Sequence, residues 1–170
     1  MTAYIALLRA VNVGGTGKLP MTELKSICES CGFKNTKTYI ASGNVVFQSL
    51  KSEAQVKKAL EAALATYAGK PVGVLVRTAA EMAAVVDANP FPEANPSGTV
   101  AIFLDAAPPA NAAATAVNRT TELIELGLRE IYATYPDGMG HSKLRIPAAK
   151  AGTARNINTI KKLAEMAAAL

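Results

Sequence analysis

Near the end of the chain Arg155, Asn156 and Asn158 crowd into four consecutive positions, behind Gly152 and Thr153. A guanidinium beside two carboxamides is chemistry suited to holding a phosphate or a carboxylate. Ile157, Ile160, Leu163, Ala164 and Ala167 recur at three- and four-residue steps, which predicts an amphipathic helix. Gly152 and Thr153 supply its break and N-cap. On that reading Arg155 sits in the first turn, where the helix dipole disfavours a cation by roughly 0.3–1 kcal/mol. Something must offset this. Either a carboxylate or water meets Arg155, or an anion lies where free N–H groups and the guanidinium converge.

A second polar group follows the first apolar run. Arg9 stands inside that run, and a buried guanidinium needs a partner or a route to the sheet's end. Asn12 follows, either as a turn residue or as a ligand group. Gly14-Gly15-Thr16-Gly17-Lys18 invites a P-loop reading and fails it. That motif needs four residues between its glycines and Ser or Thr after the lysine; here two residues intervene and Leu19 follows Lys18. The loop also lacks the dinucleotide fingerprint. A looser anion nest with Lys18 beside it remains, against a plain surface loop.

Ser42 and Asn44 lie in a turn-rich connection, Ala41-Ser42-Gly43-Asn44. The strand after it carries Phe47 alone, and aromatics make up 5% of the chain with no tryptophan. Stacking contributes about 1–3 kcal/mol per base, so this sheet has little with which to read RNA. His141-Ser142-Lys143 precedes a short expected helix. Ser142 is an N-cap, a ligand contact with Lys143, or, least favourably, a nucleophile lacking a well-placed base. Cys28 and Cys31 have C-x-x-C spacing. Zinc needs two further ligands, and a redox pair needs a helix N-terminus, whereas these lie at the C-terminal end of an apolar stripe; packing is the expected role. Glu122, Glu125 and Glu130 are the carboxylates that could neutralise Arg9 or Arg155. No catalytic residue, metal site or cofactor is assigned.

The elements that must position these groups read as an α+β chain. Tyr4–Val11 is a strand buried on both faces. A helix over 21–31, strands at 37–40 and 45–48, a helix from Ser52 with a capping box to Gln55, and a strand at 72–76 follow. Val56, Ala59, Leu60, Ala63, Leu64 and Tyr67 are expected to face inward. That order, βαββαβ, is ferredoxin-like. Thr78 with Glu81 caps another helix, stopped before Pro90. The second half reads as a strand at 99–104, a weak helix at 110–117, a hairpin at 121–134, a short helix at 142–149 and the terminal helix. The expectation is two ferredoxin-like halves packed together: 1–77, a helix and Pro/Asn-rich linker over 78–98, and 99–170.

The totals set the class. In 170 residues half are hydrophobic, many of them alanine, and the net charge is +5. Such a balance permits a nucleotide, a phosphorylated metabolite or a nucleic acid without demanding one. The first apolar run is stopped by Arg9, too short for a signal core or a membrane span. With two cysteines, the expectation is a cytoplasmic protein without a disulfide framework and without membrane partners.

Tyr4-Ile5-Ala6-Leu7-Leu8-Arg9-Ala10-Val11-Asn12-Val13-Gly14-Gly15, with Tyr39-Ile40-Ala41-Ser42-Gly43-Asn44-Val45-Val46-Phe47, resembles the start of the DUF1697 family of bacterial proteins of unknown function. Ser142-Lys143-Leu144 and the segment Gly152 to Leu163 resemble its end. The resemblance implies two α+β halves and no particular reaction. It also implies a tryptophan where this chain has Ile157, between the two asparagines. The functional expectation is a binding module for an anionic small molecule or a nucleic-acid backbone. Its residues are Arg9, Asn12, Lys18, Ser42 and Asn44, with Ser142, Lys143, Arg155, Asn156 and Asn158. The alternatives are an enzyme acting on a phosphorylated or carboxylated small molecule, and a scaffold or oligomerisation module; the sequence leaves the oligomeric state open.

Overall fold

A computed structural model describes residues 1–12 and 18–170. The chain divides into two compact units, Met1–Ala83 with Lys162–Leu170, and Ala84–Lys161.

In the first unit the order is β1 (Thr2–Leu8), α1 (Met21–Ser30), β2 (Lys34–Thr38), β3 (Asn44–Ser49), α2 (Glu53–Ala68) and β4 (Val74–Thr78). The strands form one antiparallel sheet in the order β2-β3-β1-β4, the ferredoxin-like arrangement. β1 is central, which is why its apolar run is unbroken: Tyr4, Ile5, Ala6, Leu7 and Leu8 are all buried. Alternation sends Tyr4, Ala6 and Leu8 to one face, where they join Val45, Phe47, Val74 and Val76. Against that face pack Leu24, Ile27 and Cys28 of α1 and Val56, Leu60 and Leu64 of α2. Phe33 stacks on Phe47 with ring centroids 4.2 Å apart. Cys28 is therefore a packing residue, and burial pushes its thiol up to about 12. α2 starts on the expected capping box, Ser52 with Gln55, and ends at the left-handed Gly69.

The second unit repeats the strand order with no α-helix between its first and last strands. Its strands are β5 (Thr99–Phe103), β6 (Leu123–Leu126), β7 (Glu130–Thr134) and β8 (Thr153–Asn156), ordered β6-β7-β5-β8. In both halves the sequence is second, third, first, fourth. Val100, Ile102, Leu104, Ile124, Ile131, Ala133 and Ile146 make its core. The boundaries between the units fall inside α3 (Ala79–Asp87) and α4 (Ile157–Ala168). The expected Thr78–Glu81 box opens α3: Glu81 N–H donates to Thr78 Oγ1 and Thr78 N–H to Glu81 Oε1.

Three sequence expectations are corrected. The expected helix at 110–117 is absent: residues 110–115 form turns and Val117 lies in a β-bridge; a run this short does not recover the cost of nucleating a helix on alanine propensity alone. Residues 142–149 also form no α-helix, only a 3-10 turn at Pro147–Ala149. There Arg145 exchanges backbone hydrogen bonds with Val117, which commits the segment to a β-bridge. Finally, α4 does not begin at Gly152. Thr153–Asn156 is the strand β8, paired with β5, and the helix starts at Ile157. The amphipathic stripe itself is as expected: Ile157, Ile160, Leu163 and Ala167 are buried. No helix among the described residues is long and apolar enough to cross a membrane.

Candidate functional site

In the first unit the polar residues gather where β1 ends. The Arg9 backbone N–H donates to the carbonyl of Gly73, continuing the β1–β4 ladder one residue beyond Leu8. Ala10 and Asn12 then take left-handed backbone conformations, φ 53° and 55°, which asparagine tolerates better than most residues. The Asn12 side chain donates from Nδ2 to the carbonyls of Leu19 and Ala41, both at 2.8 Å, and accepts the Leu19 N–H at 2.6 Å. Both amide hydrogens are thus engaged, and Asn12 ties Leu19 to the turn before β3. Asn44 is buried and plays a like part, donating to the carbonyl of Tyr39 and to Ser42 Oγ. The Gly14–Gly17 nest lies outside the described residues.

Arg9 and Lys18 do meet at a cavity, and Lys70 joins them. This groove has a volume of about 760 Å³. Four segments build it: the residues after β1, Lys18 and Leu19 before α1, the last turns of α2, and the Lys70–Gly73 connection into β4. Its apolar wall includes Val11, Leu19, Leu64, Tyr67 and Val72. Among the described lining residues none is Asp or Glu. Arg9 is half-buried because its side chain lies along Gly73; a Cβ there would stand 3.0 Å from Arg9 Cδ.

Tyr67 and Lys70 were not legible as site residues. The apolar stripe of α2 assigns Tyr67 to the core, yet the residue is 45% exposed. The last helical turn before a glycine cap has outrun the sheet that buries the earlier turns, and that position was the available signal. Lys70 directly after Gly69 suits the negative end of the α2 dipole, which gives it a structural reason to be there. The same dipole opposes an anion by at most about 1 kcal/mol.

In the second unit Asn156 and Arg155 hydrogen-bond to the backbone. Asn156 is the N-cap of α4, accepting the Thr159 N–H at 2.9 Å. Arg155, expected in a helical first turn, lies instead in β8 and is 8% exposed. Its Nη1 donates to Thr153 Oγ1 at 2.6 Å and to the carbonyl of Ala154 at 2.9 Å. Burial lowers its pKa to about 10. Asn158 donates to Ser97 Oγ at 3.1 Å, and Lys143 is exposed.

Ser142 donates its hydroxyl to Glu122 Oε2 at 2.5 Å and accepts the Leu144 N–H. Glu122 Oε1 also accepts the backbone N–H and the hydroxyl of Thr120. These donors, Ser142 first, lower the Glu122 carboxyl to about 2. So weak a base cannot take the serine proton near neutral pH; the pair is a loop clasp, and Glu122 is engaged here rather than with either arginine. A second cleft, about 800 Å³, lies between the Pro-rich loop and β7; Phe91, Leu123, Tyr135 and Met139 line it, and none of the second group of candidates does. Among the described residues no cluster of three His, Cys, Asp or Glu could hold a metal ion.

Strand order and side-chain placement together define an α+β protein of two ferredoxin-like halves, with a cation-lined groove on the first. Residues 1–132 match DUF1697, described as a protein family of unknown function, and the chain belongs to that family. Its fold is similar to that of the conserved bacterial protein SP0830 from Streptococcus pneumoniae: TM-score 0.81 and 24% identity, covering 98% of each chain. No curated protein matches the chain.

Proposed function

We propose that this protein is a binding module for an anionic, phosphate-bearing ligand, held in the groove of the first unit by Arg9, Lys18 and Lys70. One observation carries the reading: three cations from separate chain segments line one cavity whose described walls hold no carboxylate. A phosphate placed there gains charge-assisted hydrogen bonds, and Arg9 can offer two at once. Of the wider candidate set, Asn12, Ser42 and Asn44 support the groove by fixing the loops beside it. The free thiols of Cys28 and Cys31 suit a reducing compartment, so the proposed location is the cytoplasm.

A thermal-shift titration with pyrophosphate tests the reading, since a ligand specific to the folded form raises the melting temperature. Pyrophosphate is expected to stabilise the wild type, with binding that weakens as salt rises. Lys70→Gln and Arg9→Gln are each expected to weaken it about tenfold, on the order of one charge-assisted contact. Equal stabilisation of wild type and both variants would sink the assignment. The apolar cleft of the second unit favours a second reading, a protein-interaction module; dilution-dependent self-association abolished by Phe91→Ser, with no response to pyrophosphate, would favour that reading instead.

A further inference from the structure

We infer that the groove takes a phosphate ester of a flat ring system, a nucleoside phosphate by chemical class. The inference rests on the anion-site reading above and adds what fills the other half of the cavity. Arg9, Lys18 and Lys70 account for a phosphate, but a phosphate alone would leave most of about 760 Å³ unfilled. That volume lies in the range of sites for whole small molecules, roughly 300–1,000 Å³. The remaining wall is apolar, made by Leu19, Leu64 and Val72, and it carries Tyr67.

Tyr67 is the unusual feature. Tyr4, Phe33, Phe47 and Tyr132 are buried, whereas Tyr67 leaves 45% of its surface open. Among the described residues it is the aromatic member of the exposed large hydrophobics. A partly exposed tyrosine lining the same cleft as three cations matches a ligand with a ring at one end and negative charge at the other. Gly73 contributes to the charged end. With no Cβ it lets the Arg9 side chain lie flat along the connection, with Nη1 3.7 Å from where a Cβ would stand. A Cβ at 73 would press on Arg9 Cδ at 3.0 Å and shift that side chain by a few tenths of an ångström, so Gly73 is a positioning residue for Arg9.

Calorimetric titration of the full chain with adenosine and guanosine 5′-diphosphates, ribose 5-phosphate and adenosine tests this. At least one nucleotide is expected to bind about tenfold or more tightly than ribose 5-phosphate, the scale of one stacked base. Adenosine alone is expected to bind weakest. Tyr67→Ala should bring the nucleotide down toward the level of ribose 5-phosphate, a loss of about tenfold, and weaken ribose 5-phosphate itself far less. Gly73→Ala should weaken both phosphates severalfold without altering charge. If ribose 5-phosphate matches the nucleotides, or Tyr67→Ala leaves them unaffected, the ring assignment is overturned and the anion groove stands. If pyrophosphate, ribose 5-phosphate and both nucleotides all fail to bind, both readings fall. Binding confined to an RNA oligonucleotide, with no response to single nucleotides, also overturns the inference.

Discussion

The first and second halves of this chain carry the same strand order on different supports. One face of β2-β3-β1-β4 is covered by α1 and α2, whereas one face of β6-β7-β5-β8 is covered by turns and short 3-10 segments, with α3 meeting β7 through the Tyr132 hydroxyl. The likeness extends to single residues on the fourth strand. Arg77 of β4 pairs with Ile5 of the first strand, and Arg155 of β8 pairs with Ala101 of its first strand. Each arginine stands one residue before a helix-capping side chain, Thr78 or Asn156. Each sends Nη1 back to the carbonyl of the preceding residue, Val76 at 3.0 Å or Ala154 at 2.9 Å. The difference lies in the layer over the sheet. A 16-residue helix ends in a wall, and the groove of the first half is built against that wall. Where the second half has turns instead, Ser142 and Glu122 clasp the loops. The shared strand order is therefore a frame, and the candidate site follows the helix added to it.

If the two arginines occupy equivalent places, truncating either should destabilise the protein, and burial should rank them. Arg77 is 1% exposed and Arg155 8%. Arg77→Ala is expected to cost about 3–4 kcal/mol, from the cavity and the hydrogen-bonded groups left behind. Arg155→Ala is expected to cost about 2 kcal/mol by the same reasoning. Urea unfolding measures both. A cost below about 0.5 kcal/mol for either, the range of ordinary surface changes, would break the equivalence.

Gly73 and Gly152 sharpen the contrast, because each immediately precedes the fourth strand of its half. A Cβ at Gly152 would stand 2.6 Å from the Phe103 carbonyl oxygen and 2.8 Å from Leu104 Cδ2. Backbone cannot yield there, so Gly152→Ala is expected to cost about 2–3 kcal/mol. At Gly73 the obstacle is the flexible Arg9 side chain, and Gly73→Ala should stay within about 0.5 kcal/mol of wild type. Thermal unfolding of the two variants side by side reads the difference.

The same contrast explains what was legible in the sequence. The first half could be read almost element by element, because α1 and α2 are long enough to show a stripe and carry their own stop and start signals. Arg9 and Lys18 stood out as cations at a strand end and in a glycine loop. Lys70 and Tyr67 did not, because their meeting depends on how α2 aims its last turn, which no local pattern encodes. In the second half the alternation that would reveal β8 is only four residues long and runs straight into the stripe of α4. Thr153 and Asn156 are both cap-forming types, and sequence could not tell which one caps. The Asn156–Thr159 hydrogen bond identifies Asn156. The caps themselves are a matched pair for measurement: Thr78→Ala and Asn156→Ala should each cost about 1 kcal/mol, and a marked inequality would mean that the two crossings into helix are not equivalent.

The smallest effect concerns how the loops are held. Beside the groove the clasps are neutral amides: Asn12 on Leu19 and Ala41, and Asn44 on Tyr39 and Ser42. In the second half the clasp is a carboxylate, Glu122 on Thr120 and Ser142. Its pKa is lowered from 4.5 to about 2 in the folded protein. A depressed carboxyl binds its proton more readily in the unfolded chain, so its contribution is complete above about 4.5 and is lost as pH falls toward 2. Glu122→Gln cannot titrate, so the stability gap between wild type and variant should be widest above pH 4.5 and narrow as pH falls toward 2. Hydrogen exchange localises the effect. Over that pH range the Thr120 and Leu144 amides, held by Glu122 and by Ser142, should lose protection relative to the Leu19 amide, held by Asn12. Parallel loss at all three would mean that acid acts on the whole fold and that the charged clasp is no weaker than the neutral ones.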